Sequence, residues 1–283
     1  MLVKDVMTKE VHTVEVPGSR STVLKTLVKH NISGVPIVKK GNKKLTGIIT
    51  RSNIIKNPGE DQIAMLMTRE LITAQPDEKI ETVIVKMIEN DIRRLPIVEN
   101  GNLVGIVTSS DILSNVLWKI KNDDPVEKYM IRSVPSAWEE TPLVIAFFIM
   151  ESFGFKSMLL LSGEGKVTGI ITETDFIKES RLVEEKVVHN SSVSTEGDKW
   201  SWNSQSVLYV IKNKLNFSEK TLKDVANKNV ISVTRKTTVE ECATKMKQNN
   251  IEQVPVVNME NEPIGILRSS DLMQAALEKD DFE

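Results

Sequence analysis

One seven-residue pattern occurs four times in this 283-residue chain. It reads GIITRSN from Gly47 to Asn53, GIVTSSD from Gly105 to Asp111, GIITETD from Gly169 to Asp175 and GILRSSD from Gly265 to Asp271. Each copy has a glycine, two branched apolar residues, and a carboxylate or its amide at the seventh position. The fourth position is Thr50, Thr108 and Thr172 in three copies and Arg268 in the last. Such recurrence demands a repeat architecture, and it fixes where every other element must be sought.

Upstream of each glycine lies a short apolar run: Val35–Val38, Leu95–Val98, Met158–Leu161 and Val254–Val257. Turn residues such as Asn100-Gly101 separate run from glycine, so run and glycine segment read as a β-hairpin. Before each hairpin comes helical spacing. Val239, Cys242, Ala243 and Met246 form one helix face, as do Ile80, Val83, Ile84, Met87 and Ile88, and Val23, Leu24, Leu27 and Val28. The third copy, Leu143 to Met150, is apolar on all sides. It is expected to be buried all round, the alternative being a second face against a partner. A further short strand precedes each helix, at Val11–Val14, Leu71–Thr73, Val134–Ser136 and Val230–Val233, with a small hydroxyl residue in each: Thr13, Thr73, Ser136 and Ser232. A variant of Asp5-Val6-Met7 opens every unit. Each unit therefore reads strand, helix, hairpin, helix, the helix supplying the crossover that a parallel strand pair needs. One unit of about 55 residues buries too little apolar surface to stand alone, so units should pack in pairs.

Between the third and fourth copies the chain inserts a polar stretch, His189 to Ser204, carrying Trp200 and Trp202, then a short helix suggested by Val207, Leu208, Val210 and Ile211. The stretch reads as a solvated loop whose tryptophans dock it on the body or bind a partner.

Composition narrows the function. With 37 basic and 39 acidic residues, the formal charge of −2 gives no global attraction to nucleic acid or anionic membrane. The single cysteine, Cys242, excludes an intrachain disulfide framework and suits a reducing compartment. No signal-peptide core opens the chain and no run approaches a bilayer span, so a cytoplasmic protein is expected. His12, His30 and His189 are distant in sequence, Cys242 lies on an apolar helix face, and neither a Walker motif nor Gly-x-Gly-x-x-Gly is present. An enzyme is not expected.

Thr-x-x-Asp at a strand-to-helix junction is a capping-box pattern, which accounts for Thr108/Asp111 and Thr172/Asp175 and weakly for Thr50/Asn53. It leaves Arg268/Asp271 aside, because arginine accepts no hydrogen bond. The acid or amide kept in all four copies points to a further role: a carboxylate at a helix start can take the 2′ and 3′ hydroxyls of a ribose, with phosphate over the helix N-terminus.

These units resemble CBS domains, and the whole chain, from about Val3 to Leu277 apart from the insertion, resembles four tandem CBS domains. Archaeal CBS proteins and the γ subunit of AMP-activated protein kinase are of this kind. The resemblance implies an α/β (α+β) fold of four β-α-β-β-α units at 1–58, 59–120, 121–180 and 221–283, with the insertion at 181–220. The units would pair into two modules forming a flat disc. It further implies clefts for AMP, ADP or ATP, no catalytic cofactor, and a regulated protein partner or self-association as the output.

Carried over by position, Asn53, Asp111, Asp175 and Asp271 would hold ribose, and Thr50, Thr108 and Thr172 would contact ribose or phosphate. Thr13, Thr73, Ser136 and Ser232 would line the adenine slot. In the γ subunits the residue before the hairpin strand supplies a phosphate-binding arginine. That column is here Gly34, Arg94, Ser157 and Gln253, so the second copy holds the fullest set, while neighbouring Arg93 reads as a solvated surface cation. Arg268 is a phosphate ligand or a helix cap. The resemblance ranks the second and fourth sites first, then the third, where Pro135 removes a donor and Met158 replaces the hairpin proline, then the first. Burying an adenosine face of about 200 Å² yields about 5 kcal/mol, against about 8 for micromolar affinity, so ribose and phosphate contacts must supply the difference. The rival readings are another adenosyl ligand such as S-adenosylmethionine or methylthioadenosine, a nucleic-acid-associated regulator, and a ligand-free scaffold.

Overall fold

The computed structural model describes residues 1–57, 59–179 and 219–279. Trp200, Trp202 and the helix expected near Val207 lie outside the described residues. The first unit runs β1 (Val14–Val16), helix Arg20–Lys29, β2 (Gly34–Lys39), β3 (Leu45–Thr50) and helix Arg51–Lys56. β1 lies parallel to β2 and β2 antiparallel to β3. The second unit has helix Ile80–Glu89, β4 (Arg94–Glu99), β5 (Asn102–Thr108) and helix Ser109–Asn115. The third has β6 (Ser136–Trp138), helix Leu143–Phe153, β7 (Ser157–Leu161), β8 (Val167–Thr172) and helical residues 173–179. The fourth has β9 (Val233–Thr234), helix Val239–Gln248, β10 (Gln253–Val257), β11 (Pro263–Arg268) and helix Ser269–Lys279.

The repeat extends to irregularities. All four hairpins shift register at the same place, between Ile37 and Val38, Ile97 and Val98, Leu160 and Leu161, and Val256 and Val257. Asn100 and Gly101 both adopt positive φ, as a two-residue hairpin turn requires.

The first strands begin later than the sequence suggests. β1, β6 and β9 start at Val14, Ser136 and Val233, and in the second unit a single parallel bridge, Ala74 to Ile97, replaces the strand. The residues just upstream are held instead by the neighbouring unit. The backbone of Thr8 pairs with Ile106, that of Thr68 with Ile48, Ile131 with Ile266 and Asn227 with Ile170. This exchange is reciprocal within units one and two, and again within units three and four. It extends to the helices: Val3 N–H reaches Glu78 O and Ile80 N–H reaches Met1 O, while Val126 N–H reaches Thr237 O and Val239 N–H reaches Asp124 O. Neither unit of a pair can satisfy its backbone alone.

The stripe Ile80, Val83, Ile84 and Met87 and the stripe Val239, Cys242, Ala243 and Met246 are buried in one core joining units two and four. Units one and three meet where Ile55 packs on the cluster around Phe147 and Phe176, and where Ser52 Oγ donates to Glu173 Oε1 at 2.7 Å. Helix Leu143–Phe153 departs from expectation. Leu143, Ala146, Phe147 and Met150 are buried, but Ile145 is 50% and Phe153 71% exposed, so this helix keeps an open apolar face. Among the described residues no helix is long and apolar enough to cross a membrane.

Candidate functional site

The signature glycines are set by the pairing. A β-carbon on Gly47, Gly105 or Gly265 would lie 2.7, 2.6 and 2.6 Å from the sulfur of Met67, Met7 and Met130 respectively. Each methionine closes the opening segment of the paired unit, so it can press on the strand only where there is no side chain. The equivalent of these methionines for Gly169 is Ala226, whose Cβ would stand at 3.5 Å.

Three residues after each strand ends, the acid or amide turns back on the chain. Asn53 Oδ1 accepts Thr50 N–H at 2.8 Å, Asp111 Oδ2 accepts Thr108 N–H at 2.8 Å, and Asp175 Oδ2 accepts Thr172 N–H at 2.8 Å. Asp271 Oδ2 accepts Arg268 N–H at 2.7 Å. This corrects the reading that capping leaves the fourth copy unexplained. The constant element is the acid accepting the N–H of the cap residue, and the cap side chain is free to vary. Thr108 Oγ1 donates to Asp111 Oδ2, and Thr8 Oγ1, from the first unit, donates to Asp111 Oδ1 at 3.1 Å. At the fourth copy Arg268 takes that second role, with Nε 3.2 Å from Asp271 Oδ2 and Nη2 2.9 Å from Oδ1. The hydrogen bond to Asp271 holds the Arg268 guanidinium above its usual range.

Hairpin register places the expected phosphate column opposite these caps: Gly34 faces Thr50, Arg94 faces Thr108, Ser157 faces Thr172 and Gln253 faces Arg268. Members of the column meet within each pair. Ser157 Oγ donates to Gln253 Oε1 at 2.9 Å. Arg94 donates to Ser33 Oγ and lays its guanidinium on Gly34, where a β-carbon would collide with Nη1. Burial pushes Arg94 down to about 10 and also lowers Arg51, and both feel the charges of Arg93, Glu173 and Glu252. A hub of charge from all four units therefore forms where the modules meet.

On this hub opens a cavity of about 480 Å³. Asp271 and Arg268 form part of its wall with Ser269 and Ser270. Ile131, Ser133 and Pro135 of the third unit's opening segment form another part, as do Phe155, Lys156, Ser157, Glu252 and Gln253. Its last wall belongs to the other module: Met87, Ile88, Asp91, Ile92 and Arg93. Arg93 is thus no detached surface cation. It reaches Glu252 Oε2 at 3.4 Å across the interface. Its role, like those of Asp91, Lys156 and Glu252, depends on packing between modules and leaves no local signal in the sequence.

Of the residues singled out from sequence, Arg268 and Asp271 line this cavity together with Pro135, Ser157 and Gln253. Ser136 turns its hydroxyl to Val134 O, and its neighbours Ser133 and Pro135 line the wall instead. The carbonyls of Thr73 and Ser232 accept from Lys86 Nζ at 3.1 Å and Lys245 Nζ at 2.9 Å, while Thr13 is exposed. His12 and His30, distant in sequence, stack with ring centroids 3.5 Å apart. Among the described residues no three His, Cys, Asp or Glu side chains gather as a metal site would need.

The model for the CBS domain matches the chain at residues 3–60, 62–117, 126–181 and 222–278. The chain is 29% identical over 193 residues to the uncharacterised protein MJ1225 of Methanocaldococcus jannaschii, covering 62% of this chain and 69% of that one. The crystal structure of MJ1225, a proposed archaeal homologue of g-AMPK, superposes with a TM-score of 0.79 at 22% identity, covering 97% of this chain and 99% of that one. An uncharacterised conserved protein from Pyrococcus horikoshii superposes with a TM-score of 0.65 at 26% identity over the same shares, 97% and 99%. The L-aspartate semialdehyde sulfurtransferase of Methanocaldococcus jannaschii is 41% identical over 114 residues. That match spans 39% of this chain and 22% of the enzyme.

Proposed function

The chain belongs to the CBS-domain family, and from that premise we propose that it is a regulatory protein whose clefts bind adenine nucleotides (AMP, ADP or ATP) and pass their occupancy to a protein partner. The cavity beside Asp271 carries the reading. Its size is that of small-molecule sites in general, and it joins an apolar wall, a carboxylate at a helix start and three cations. Met87, Ile88, Ile92, Ile131, Pro135 and Phe155 offer a surface for a purine. Arg268 offers positive charge to phosphate, with Lys156 and Arg93 behind it paired to Glu173 and Glu252.

Binding would open one ion pair. Asp271 Oδ2 keeps the Arg268 N–H and gives up Nε, while Oδ1 exchanges Arg268 Nη2 for a ribose hydroxyl. The released guanidinium, half-exposed on the cavity wall, turns to the phosphate. A ligand shifts a protein between states only by binding one more tightly. Units two, three and four all supply walls of the cavity, so a ligand whose affinity depends on how they meet would couple the two modules.

The test is a thermal-shift panel of AMP, ADP, ATP, GTP and S-adenosylmethionine on the full chain and on Asp271→Ala. A ligand at 100 times its Kd should stabilise the native chain by about 2.7 kcal/mol. Adenosine compounds should raise the Tm of the native chain, GTP should not, and the variant should lose the response of this cleft. Equal shifts in both proteins would remove Asp271 from the ligand's reach.

A further inference from the structure

The cavity beside Asp271 holds as many fixed carboxylates as cations: Asp91, Glu252 and Asp271 against Arg93, Lys156 and Arg268. Glu252 is the one whose position matters most. Oε1 accepts from Ser110 Oγ at 2.6 Å and Ser109 Oγ at 3.2 Å, and Oε2 accepts from Arg93 at 3.4 Å. Three donors from the second unit thus pin a negative charge beside Gln253. In the second unit's hairpin the equivalent positions are Arg93 and Arg94, so the charge of this corner is inverted between the two copies. A ribose hydroxyl carries no charge, so a bound sugar does not alter this balance.

We infer that the Asp271 cleft selects an adenosine monophosphate over a triphosphate, with Glu252 as the residue that sets the limit on phosphate charge. The inference rests on the nucleotide reading above and makes it specific. Arg268, once released from Asp271, meets one phosphate group, while Lys156 is already engaged, its Nζ 2.6 Å from Ser52 Oγ and 3.4 Å from Glu173 Oε1. Each added phosphate brings negative charge toward Glu252, which cannot swing away without abandoning three hydrogen bonds. Arg93 offers little compensation because Glu252 already holds it.

The experiment is calorimetric titration of the full chain with AMP and with ATP in magnesium-free buffer, repeated in an Asp271→Ala background to isolate this cleft. The same titrations are made on Glu252→Gln and Asp91→Asn. Asp91 sits at positive φ, which asparagine tolerates, so the second substitution tests the charge without threatening the fold. Asp271-dependent binding should be tighter for AMP than for ATP. Glu252→Gln should raise the ATP-to-AMP affinity ratio about tenfold, the effect of one screened charge pair, and Asp91→Asn should raise it by less. ATP binding as tightly as AMP, or a ratio indifferent to Glu252→Gln, overturns the inference while leaving nucleotide binding intact. Absence of Asp271-dependent binding for both compounds is a different result and overturns the nucleotide reading as well.

Discussion

The sulfur of Met130 lies 2.6 Å from the point where a β-carbon on Gly265 would stand, and Met130 belongs to the unit with which Gly265 is paired. The signature glycine is therefore a feature of the interface between units, shared between two halves of one module. The same contact joins Met7 to Gly105 and Met67 to Gly47.

Gly265→Ala should cost about 1–3 kcal/mol, because Met130 must leave a packed position and a backbone carbonyl, Ile131 O, stands close behind it at 3.2 Å. Gly169→Ala should cost less, about 1 kcal/mol, since Asn227 O at 3.3 Å and Leu160 Cδ2 at 3.2 Å are close but Ala226, at ordinary contact distance, stands where the other copies have a methionine sulfur. Urea denaturation of both variants checks the order. Equal losses would mean that the methionines are not what excludes the side chain.

Arg94 and Gly34 are similarly bound to one another. Gly34→Ala should displace the guanidinium and cost about 1–2 kcal/mol. In an Arg94→Ala background the same change should cost almost nothing, since the space is then empty. Contacting residues couple by about 0.5–3 kcal/mol in such a double-mutant cycle. Additive losses would show that Gly34 is needed for its backbone and not for the room it leaves.

Much of this arrangement is legible in the sequence, and the reasons are local. Hairpins, helix stripes and the fourfold glycine segment follow from periodicity and turn chemistry within a few residues, and the stripes around Val83 and Cys242 are buried as their spacing indicates. The early placement of the first strands has a tertiary cause. The branched residues around Val11 and Ile72 look like strand, yet the backbone upstream of each first strand is held by the paired unit. Helix Leu143–Phe153 was unreadable for another reason: apolar residues on all sides do not reveal which side is covered. Arg93 shows the firmest limit. Its position beside Asp271 depends on two modules meeting, and no spacing within the second unit encodes it.

Asp271 separates its two proposed roles by substitution. Asn53 caps Thr50 N–H through an amide oxygen at 2.8 Å, so an amide is sufficient for the cap in this fold. Asp271→Asn should then change stability by less than about 0.5 kcal/mol, and Asp271→Ala should cost about 1 kcal/mol. Nucleotide affinity should fall in both, further in the alanine variant, because asparagine keeps one acceptor for a ribose hydroxyl. Chemical denaturation and calorimetry on the same samples distinguish the effects. A ligand response unchanged in Asp271→Ala would reduce the acid to a cap.

Cys242 gives a pH-dependent prediction with a determined sign. It is fully buried in the core that joins units two and four, and burial pushes its thiol up to about 12. In the unfolded chain a thiol titrates near ~8.5. Below that value both states hold the proton and the contribution of Cys242 to stability is complete. Between about 8.5 and 12 the unfolded chain releases the proton while the folded chain keeps it, so stability falls as pH rises, by at most about 1.4 kcal/mol per unit. Lysines and tyrosines titrate in the same range, so the quantity to measure is the difference between the native chain and Cys242→Ala. That difference should be flat from pH 6 to 8 and decline above ~8.5, with the native chain losing more. Thiol reagents at pH 8 should leave the folded protein unmodified and label it once urea opens the core. Rapid labelling without denaturant would mean that units two and four separate readily, and that the wall they share around the Asp271 cavity is not held in place by this core.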